Sequence, residues 1–314
     1  MKNKKNIRFL FVCLLLLSLF TGAQYAENID SWIIDILSHF PVQYALFAFI
    51  LLVICLWKKT ISLALFAGFL LAFNINVLLD FGKYAQAARQ EYGTFKVYSA
   101  NINKSNRNFS KLVPELMRSE ADILLLLEIT EKNIKPLTSL IQTYPYHVIN
   151  LNVGFSGTGT ILMSKFPILN YEITKYSEFG NMLISAMLEL NNHKVIFYGT
   201  HFPRPTNILE FSARSMQITA LARQISKQQL PVILAGDFNE TPYSPVFKNL
   251  LKISGLRDSR TGFGWQPTWP TYFPLLWIPI DHILVSPNIQ VHKRTSGSHI
   301  GSDHYPVLAE LSIG

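Results

Sequence analysis

The chain has 314 residues, of which 49% are hydrophobic and only 15% charged, with a formal charge of +8. It is too long for one small domain and suits a membrane region joined to one large globular domain. Its two cysteines, Cys13 and Cys55, both lie in apolar stretches, which excludes a disulfide framework or a thiolate zinc site in the globular part. Most of the positive excess falls after residue 82. That suits an anionic substrate or membrane surface, or serves solubility alone, and no basic cluster is dense enough to require nucleic acid.

Residues 7–25, 41–57 and 61–81 are each long and apolar enough to be membrane helices. Lys2, Lys4 and Lys5 precede the first, and Lys58 and Lys59 separate the second from the third. The segment between the first two holds Glu27, Asp30 and Asp35 and no basic residue. The positive-inside rule then places the N-terminus in the cytoplasm and residues 83–314 outside. A second reading makes the first stretch a cleaved signal peptide ending near Ala23, which leaves the same side exposed. Buried core helices fit less well, because the later stretches lack amphipathic polarity. Asn74 and Asn76 suit bonds to a neighbouring helix.

Residues 83–93 read as a linker, and 94–314 as the globular domain. Strands are expected at 94–102, 122–127, 159–163, 182–190, 194–200, 232–235, 280–286 and 307–311, with helices at 109–118 and 208–227. Periodicity supports an α/β or α+β fold and no more. Three apolar strands end in polar clusters: Gly236-Asp237-Phe238-Asn239, Ile280-Asp281-His282 and Ser302-Asp303-His304. On an extended segment Asp237 and Asn239 would point the same way. Such strand ends are the raw material of a metal-assisted hydrolase. A phosphate ester resists attack because its oxygens are negative and its leaving alkoxide is poor, and a hard divalent cation answers both difficulties. Mg²⁺ takes oxygen ligands and keeps several waters, so Glu128 is the leading ligand candidate, with Asn101 in support. Standing alone, Asn101 reads as a turn residue and Glu128 as a helix N-terminal acid.

No His-x-His or His-x-x-x-His zinc pattern, nucleotide-binding phosphate loop or Gly-x-Ser-x-Gly elbow occurs. Gly154, Gly157 and Gly159 read as a loop before a strand. Between Gly264 and Ile280 lie Trp265, Trp269, Tyr272, Phe273 and Trp277 among four prolines. This loop is either an aromatic rim that stacks bases or dips into lipid, or a segment packed on its own domain.

Six motifs in order carry a family resemblance from about residue 94 to the C-terminus. They are Ser99-Ala100-Asn101-Ile102, Leu127-Glu128-Ile129, Gly199-Thr200-His201-Phe202-Pro203 and the three clusters above. The chain resembles the endonuclease/exonuclease/phosphatase superfamily. Arg204-Pro205 and Pro279 bring it nearest to a membrane-anchored bacterial branch. The resemblance implies a four-layer sandwich of two mainly antiparallel sheets with helices outside. It implies a Mg²⁺-dependent phosphoesterase, with Mn²⁺ a possible substitute. Asn101, Glu128 and Asp303 would serve the metal. His201, Asp237, Asn239, Asp281 and His304 would be catalytic, with Asp237 holding the nucleophile and His304 a second candidate base. Arg204, Trp265 and Trp269 would meet substrate. Leu127 replaces the family's usual Gln, and His282 stands where an aromatic or aliphatic residue is usual. The expected substrate is a phosphodiester, in nucleic acid or a phospholipid headgroup. The alternatives are a small phosphomonoester or a non-catalytic scaffold on the same fold. The expected partner is a lipid bilayer, with no protein partner, and the expected location is the bacterial cytoplasmic membrane with the domain facing out.

Overall fold

The computed structural model describes residues 2–26, 31–79, 93–151, 157–175 and 181–314. Most of the expected linker, with Glu27, Asp30 and Gly154, lies outside them. The globular part is built on two mixed six-stranded sheets. The first contains β1 (Phe95–Asn101), β2 (Ile123–Ile129), β3 (Tyr146–Asn150), β4 (Gly159–Ser164), β11 (Ile289–Ser296) and β12 (Val307–Ile313), in the order β11-β12-β1-β2-β4-β3. The second contains β5 (Ile168–Lys175), β6 (Met182–Leu190), β7 (His193–His201), β8 (Val232–Asp237), β9 (Arg257–Asp258) and β10 (Asp281–Val285), in the order β5-β6-β7-β8-β10-β9. Among the described residues only β1–β2 and β7–β8 pair in parallel. The two sheets thus repeat one pattern of pairing around a central parallel pair.

The continuous apolar run of β2 follows from burial on both faces. Ile123, Leu125 and Leu127 point into the core between the sheets, against Phe197, Ile233 and Ile283 among others. Leu124 and Leu126 point outward under helices α5 (Phe109–Arg118) and α6 (Glu131–Ile141). Helices α7 (Ile208–Ile225) and α8 (Pro245–Ser254) cover the outer face of the second sheet. This is the four-layer sandwich the resemblance implies. Asn207 starts α7 by accepting the Leu209 and Glu210 amides, both at 3.0 Å. Ser244 starts α8 by accepting the Phe247 amide.

The N-terminal region holds α1 (Lys2–Gly22), α2 (Trp32–Ser38), α3 (Pro41–Trp57) and α4 (Ile61–Leu79). Leu10, Leu14 and Leu17 of α1 meet Ala48, Leu51 and Cys55 of α3 and Ala64, Ala67 and Leu70 of α4. The small residues let these helices approach closely. Phe9, Phe11, Phe49, Val53, Leu65 and Phe69 face outward and are exposed. Two segments, Lys4–Tyr25 and Ile61–Leu79, are long and apolar enough to cross a membrane. The third span expected from the sequence qualifies only if α2 and α3, bent by 68°, are taken together. Asn74 is buried and bonds Thr21 and Gln24 beside α1, whereas Asn76 is exposed.

Gly236, next to Asp237, sits at φ +145°, and a Cβ there would lie 1.8 Å from the Thr200 carbonyl oxygen on β7. Gly236→Ala should therefore cost roughly 3 kcal/mol or more of stability. A clearly lowered melting temperature of the detergent-solubilised protein checks this, and an unchanged one contradicts it.

Candidate active site

The polar residues converge because the strand registers bring their ends together. Asp237 lies opposite His201 in the parallel β7–β8 pair and opposite Asp281 in the antiparallel β8–β10 pair. Asn101 is the last residue of β1, beside β2. In β2 the register shifts between Leu127 and Ile129, leaving Glu128 as a bulged residue with φ +60°. The bulge turns toward the strand ends a side chain that alternation would place beneath α5 and α6, with Leu124 and Leu126. Asn103 and Asn239 also have positive φ, at +59° and +49°. Left-handed residues cluster here, as they do where a fold holds functional groups in place.

Asn101 sits between two carboxylates. Its Nδ2 donates to Glu128 Oε1 and to Asp237 Oδ2, each at 3.0 Å, while its Oδ1 accepts the Asn103 amide. The amide nitrogen thus faces the acids. Glu128 also accepts from Arg204 Nη2 at 3.0 Å and from the Lys104 amide at 3.0 Å. Burial opposes its charge, but His201, Asn101, the Lys104 amide and Arg204 outweigh burial and hold its carboxyl at about 2.

His304 Nδ1 lies 2.9 Å from Asp281 Oδ2, and its Nε2 lies 3.8 Å from Asp237 Oδ2. Burial works against an imidazolium there, but Asp281 and Asp237 raise His304 to about 9. A divalent cation among the same carboxylates would oppose that rise. His201 Nε2 is 3.4 Å from Asp237 Oδ2. Ligand atoms of Asp237, Asp281 and His304 lie within 4.8 Å of one another, and all three residues are buried. Asp281 Oδ1 is buried without a hydrogen-bond partner. A converging acidic set with an unsatisfied carboxylate oxygen fits a hard divalent cation.

Asp303 and Asn239 are held in place by their neighbours. Asp303 Oδ1 accepts Asn103 Nδ2 at 2.7 Å, and Oδ2 accepts the Trp269 indole N–H at 3.3 Å. Trp269 therefore steadies Asp303. Trp265 lies away from the carboxylates, against Trp277 and lining a separate cavity with Val42 and Leu78. β8 stops at Asp237, so Asn239 reaches the site by a turn and not by strand alternation. Its amide donates to Asp237 Oδ1 at 2.9 Å, and its side chain donates to the Phe202 carbonyl. His282 is fully buried, bonded to the Glu240 carbonyl and packed on Phe238 and Phe247, and burial lowers it to about 4. It packs behind the site and does not line it.

Several supporting contacts at the site are not read from the motifs. Thr268 accepts the Ile280 and Asp281 amides, and Ser302 Oγ donates to the Asn101 carbonyl while accepting the His304 amide. Asn103 repeats, two residues after Asn101, the spacing of Asp237 and Asn239, and that repetition is a usable signal. Arg214 is wholly buried beneath the site. Its Nη1 donates to the Asn239 carbonyl at 2.5 Å, and its Nη2 pairs with Glu240 at 2.9 Å and with Asp35 of α2. Asp35, His39 and Glu240 also cluster closely enough to suggest a metal site. The guanidinium already bonded to both carboxylates makes the cluster an ion-pair network instead.

The Endonuclease/Exonuclease/phosphatase family matches residues 98–304, about two thirds of the sequence. The chain belongs to that family. No match is found among curated proteins. Solved structures share the fold. A protein of this family from Bacteroides vulgatus is 18% identical, with TM-score 0.61, over 71% of this chain and 100% of its own. D. rerio TDP2 complexed with a single-strand DNA product is 17% identical, with TM-score 0.60, over 70% and 100%. The mannosyl-6-phosphatase Bt3783 of Bacteroides thetaiotaomicron VPI-5482 is 17% identical, with TM-score 0.57, over 70% and 100%.

Asp35→Ala should leave Arg214 paired with Glu240 alone and loosen its grip on the Asn239 carbonyl. The expected result is a destabilisation of roughly 2–4 kcal/mol, seen as a lower melting temperature of the full chain. An unchanged melting curve would show that the buried pair contributes nothing net.

Proposed function

We propose that this protein is a membrane-anchored, divalent-metal-dependent phosphoesterase that hydrolyses a phosphodiester. The observation that carries the reading is the buried convergence of Asp237, Asp281 and His304 beside Glu128, in a chain of this family. A scaffold without catalysis would have no need to bury so many acids together.

Glu128 and Asp237, with the unpartnered Oδ1 of Asp281, are the residues we assign to a divalent cation, Mg²⁺ or Mn²⁺, with Asn101 fixing the separation of the first two. When bound, such an ion polarises the phosphoryl oxygens and favours a deprotonated water. The chain's own groups do the rest. Asp281 fixes the orientation and tautomer of His304. His304 and Asp237 face each other and are the two groups able to take the proton of the attacking water. The water oxygen bonds to phosphorus, the bond to the leaving oxygen breaks, and the products are a phosphate monoester and an alcohol. His201 and Arg204 supply donors for the phosphoryl oxygens, and Asp303, held by Asn103 and Trp269, supports the field around His304. The loaded site is therefore electrostatically tuned to a species more negative than the substrate.

We further propose that α1, α3 and α4 cross the bilayer and that the domain lies on the side opposite the Lys58-Lys59 turn. A C-terminal alkaline phosphatase fusion should be active and a C-terminal green fluorescent fusion dark. The opposite pair of results would put the domain in the cytoplasm.

The activity is tested with the purified full chain and a chromogenic phosphodiester. Turnover should need Mg²⁺ or Mn²⁺ and stop with chelator. Glu128→Gln and Asp237→Asn should each lower kcat by about a hundredfold or more. A faster rate on the matching phosphomonoester would shift the reading to a phosphatase. No turnover of either ester with any divalent ion would refute it.

A further inference from the structure

We propose that the substrate is a phosphate ester carried by a membrane lipid and taken at the bilayer surface; this rests on the phosphoesterase reading above. The membrane region docks on the end of the sandwich that carries the site. Trp32 of α2 donates to the Pro205 carbonyl at 2.6 Å, between Arg204 and Thr206. His39 bonds Thr241 at 3.0 Å, just past Asn239, and Asp35 pairs with Arg214 below it. Gln43, in the first turn of α3, donates to the carbonyls of Leu275 and Trp277, shortly before Asp281. Lys248 donates to the Gln24 carbonyl at the end of the first helical segment. Apart from Arg214 of α7, these partners lie on α8 or on a loop that continues from or leads into a strand bearing a site residue. The outer ends of α1 and α3 mark the bilayer surface, so the site stands directly at it.

The surface beside these helix ends is apolar where a water-facing loop would be polar. Tyr272 is 73% exposed and Leu275 64%, with Phe273 and Leu276 also exposed. All four sit on the loop fastened to Gln43, level with the start of α3. Across α2, Ile33, Ile208 and Leu209 are exposed as well. Large apolar side chains standing open on both flanks of an anchored helix suit the acyl boundary of a bilayer and not solvent. Their occupant is fixed by what they adjoin, namely helices whose own outward faces are apolar.

The apolar loop is also tied to the chemistry. The Thr271 amide donates to the Asp303 carbonyl at 2.9 Å, and the Trp269 indole reaches the Asp303 carboxylate. Its depth in the bilayer would thus set the height of Asp303 and His304 above the lipid. The cavity at Glu128 and His201 has a volume of about 190 Å³ and is lined by Lys104, Arg204 and Thr206. That space accepts a phosphate headgroup, with cations to meet its charge. Its rim at Arg204 and Thr206 brackets the Pro205 carbonyl that α2 grips.

The test uses the full chain reconstituted in phosphatidylcholine vesicles. One probe is a p-nitrophenyl phosphodiester of diacylglycerol held in the same vesicles. The others are p-nitrophenyl methyl phosphate and a single-stranded DNA oligonucleotide. Hydrolysis of the first two adds water across a P–O bond and releases p-nitrophenol. The lipid-linked ester should be turned over with at least tenfold higher kcat/KM than the soluble one. Tyr272→Ser with Leu275→Ser should erase that preference and leave the soluble ester within twofold of wild type. Equal use of both esters by the wild type, a preference that survives the double substitution, or a preference for the oligonucleotide would each overturn the proposal. Loss of all three activities in the wild type would instead strike the phosphoesterase reading itself.

Discussion

The structure turns on the burial of several carboxylates at one point. Glu128, Asp237 and Asp281 are each nearly inaccessible to water, and Asp303 stands beside them. Like charges in such a place repel, and burial alone would keep them protonated. The fold sets donors between them. Asn101 bridges Glu128 and Asp237, Arg204 and the Lys104 amide take Glu128, and the two histidines stand over Asp237. Backbone that ordinary residues avoid is retained here for the same reason. Glu128 and Asn239 hold positive φ at the positions where they meet Asn101, Arg204 and Asp237. The assembly is poised for extra positive charge, which is the electrostatic state a hydrolase of anionic esters needs before it meets one.

A second charged centre lies just behind the first and links it to the N-terminal helices. Arg214 holds Asp35 on α2, Glu240 after the site loop, and the Asn239 carbonyl. Burial raises Glu240 to about 7, against the pull of Arg214, so this centre is close to electrical balance. Breaking one contact would leave a charge with no water to take its place. The bent α2–α3 unit is therefore part of the domain's interior on one side and of the helix bundle on the other.

Much of this was legible in the sequence, and the reasons are specific. β2 and β8 announce themselves because both faces are buried, giving unbroken apolar runs that end in Glu128 and Asp237. The helix α7 is visible from its spacing. What escaped had weaker physical signals. β5 is an edge strand with largely exposed side chains, so its pattern has no buried face to report. The helix α6 contains Pro136, and α2 has only seven residues, with Asp35 buried by a partner far along the chain. Among site residues, the polar strand ends could be read, but their mutual contacts could not. The bonds of Asn101 to Glu128 and Asp237, and of Trp269 to Asp303, join residues far apart in the chain and leave no local trace. Nothing local reveals that two carboxylates lie across from Arg214.

The repeated pairing order of the two sheets has a consequence for recognition. Matching strands in the two halves are β1 with β7 and β2 with β8. Asn101 and His201 end the first members of the two parallel pairs, and Glu128 and Asp237 stand at the ends of the second. The site is thus assembled where the C-terminal ends of both parallel pairs meet. Amide and carboxylate come from one sheet, imidazole and carboxylate from the other, so a group held between them meets different chemistry on its two sides.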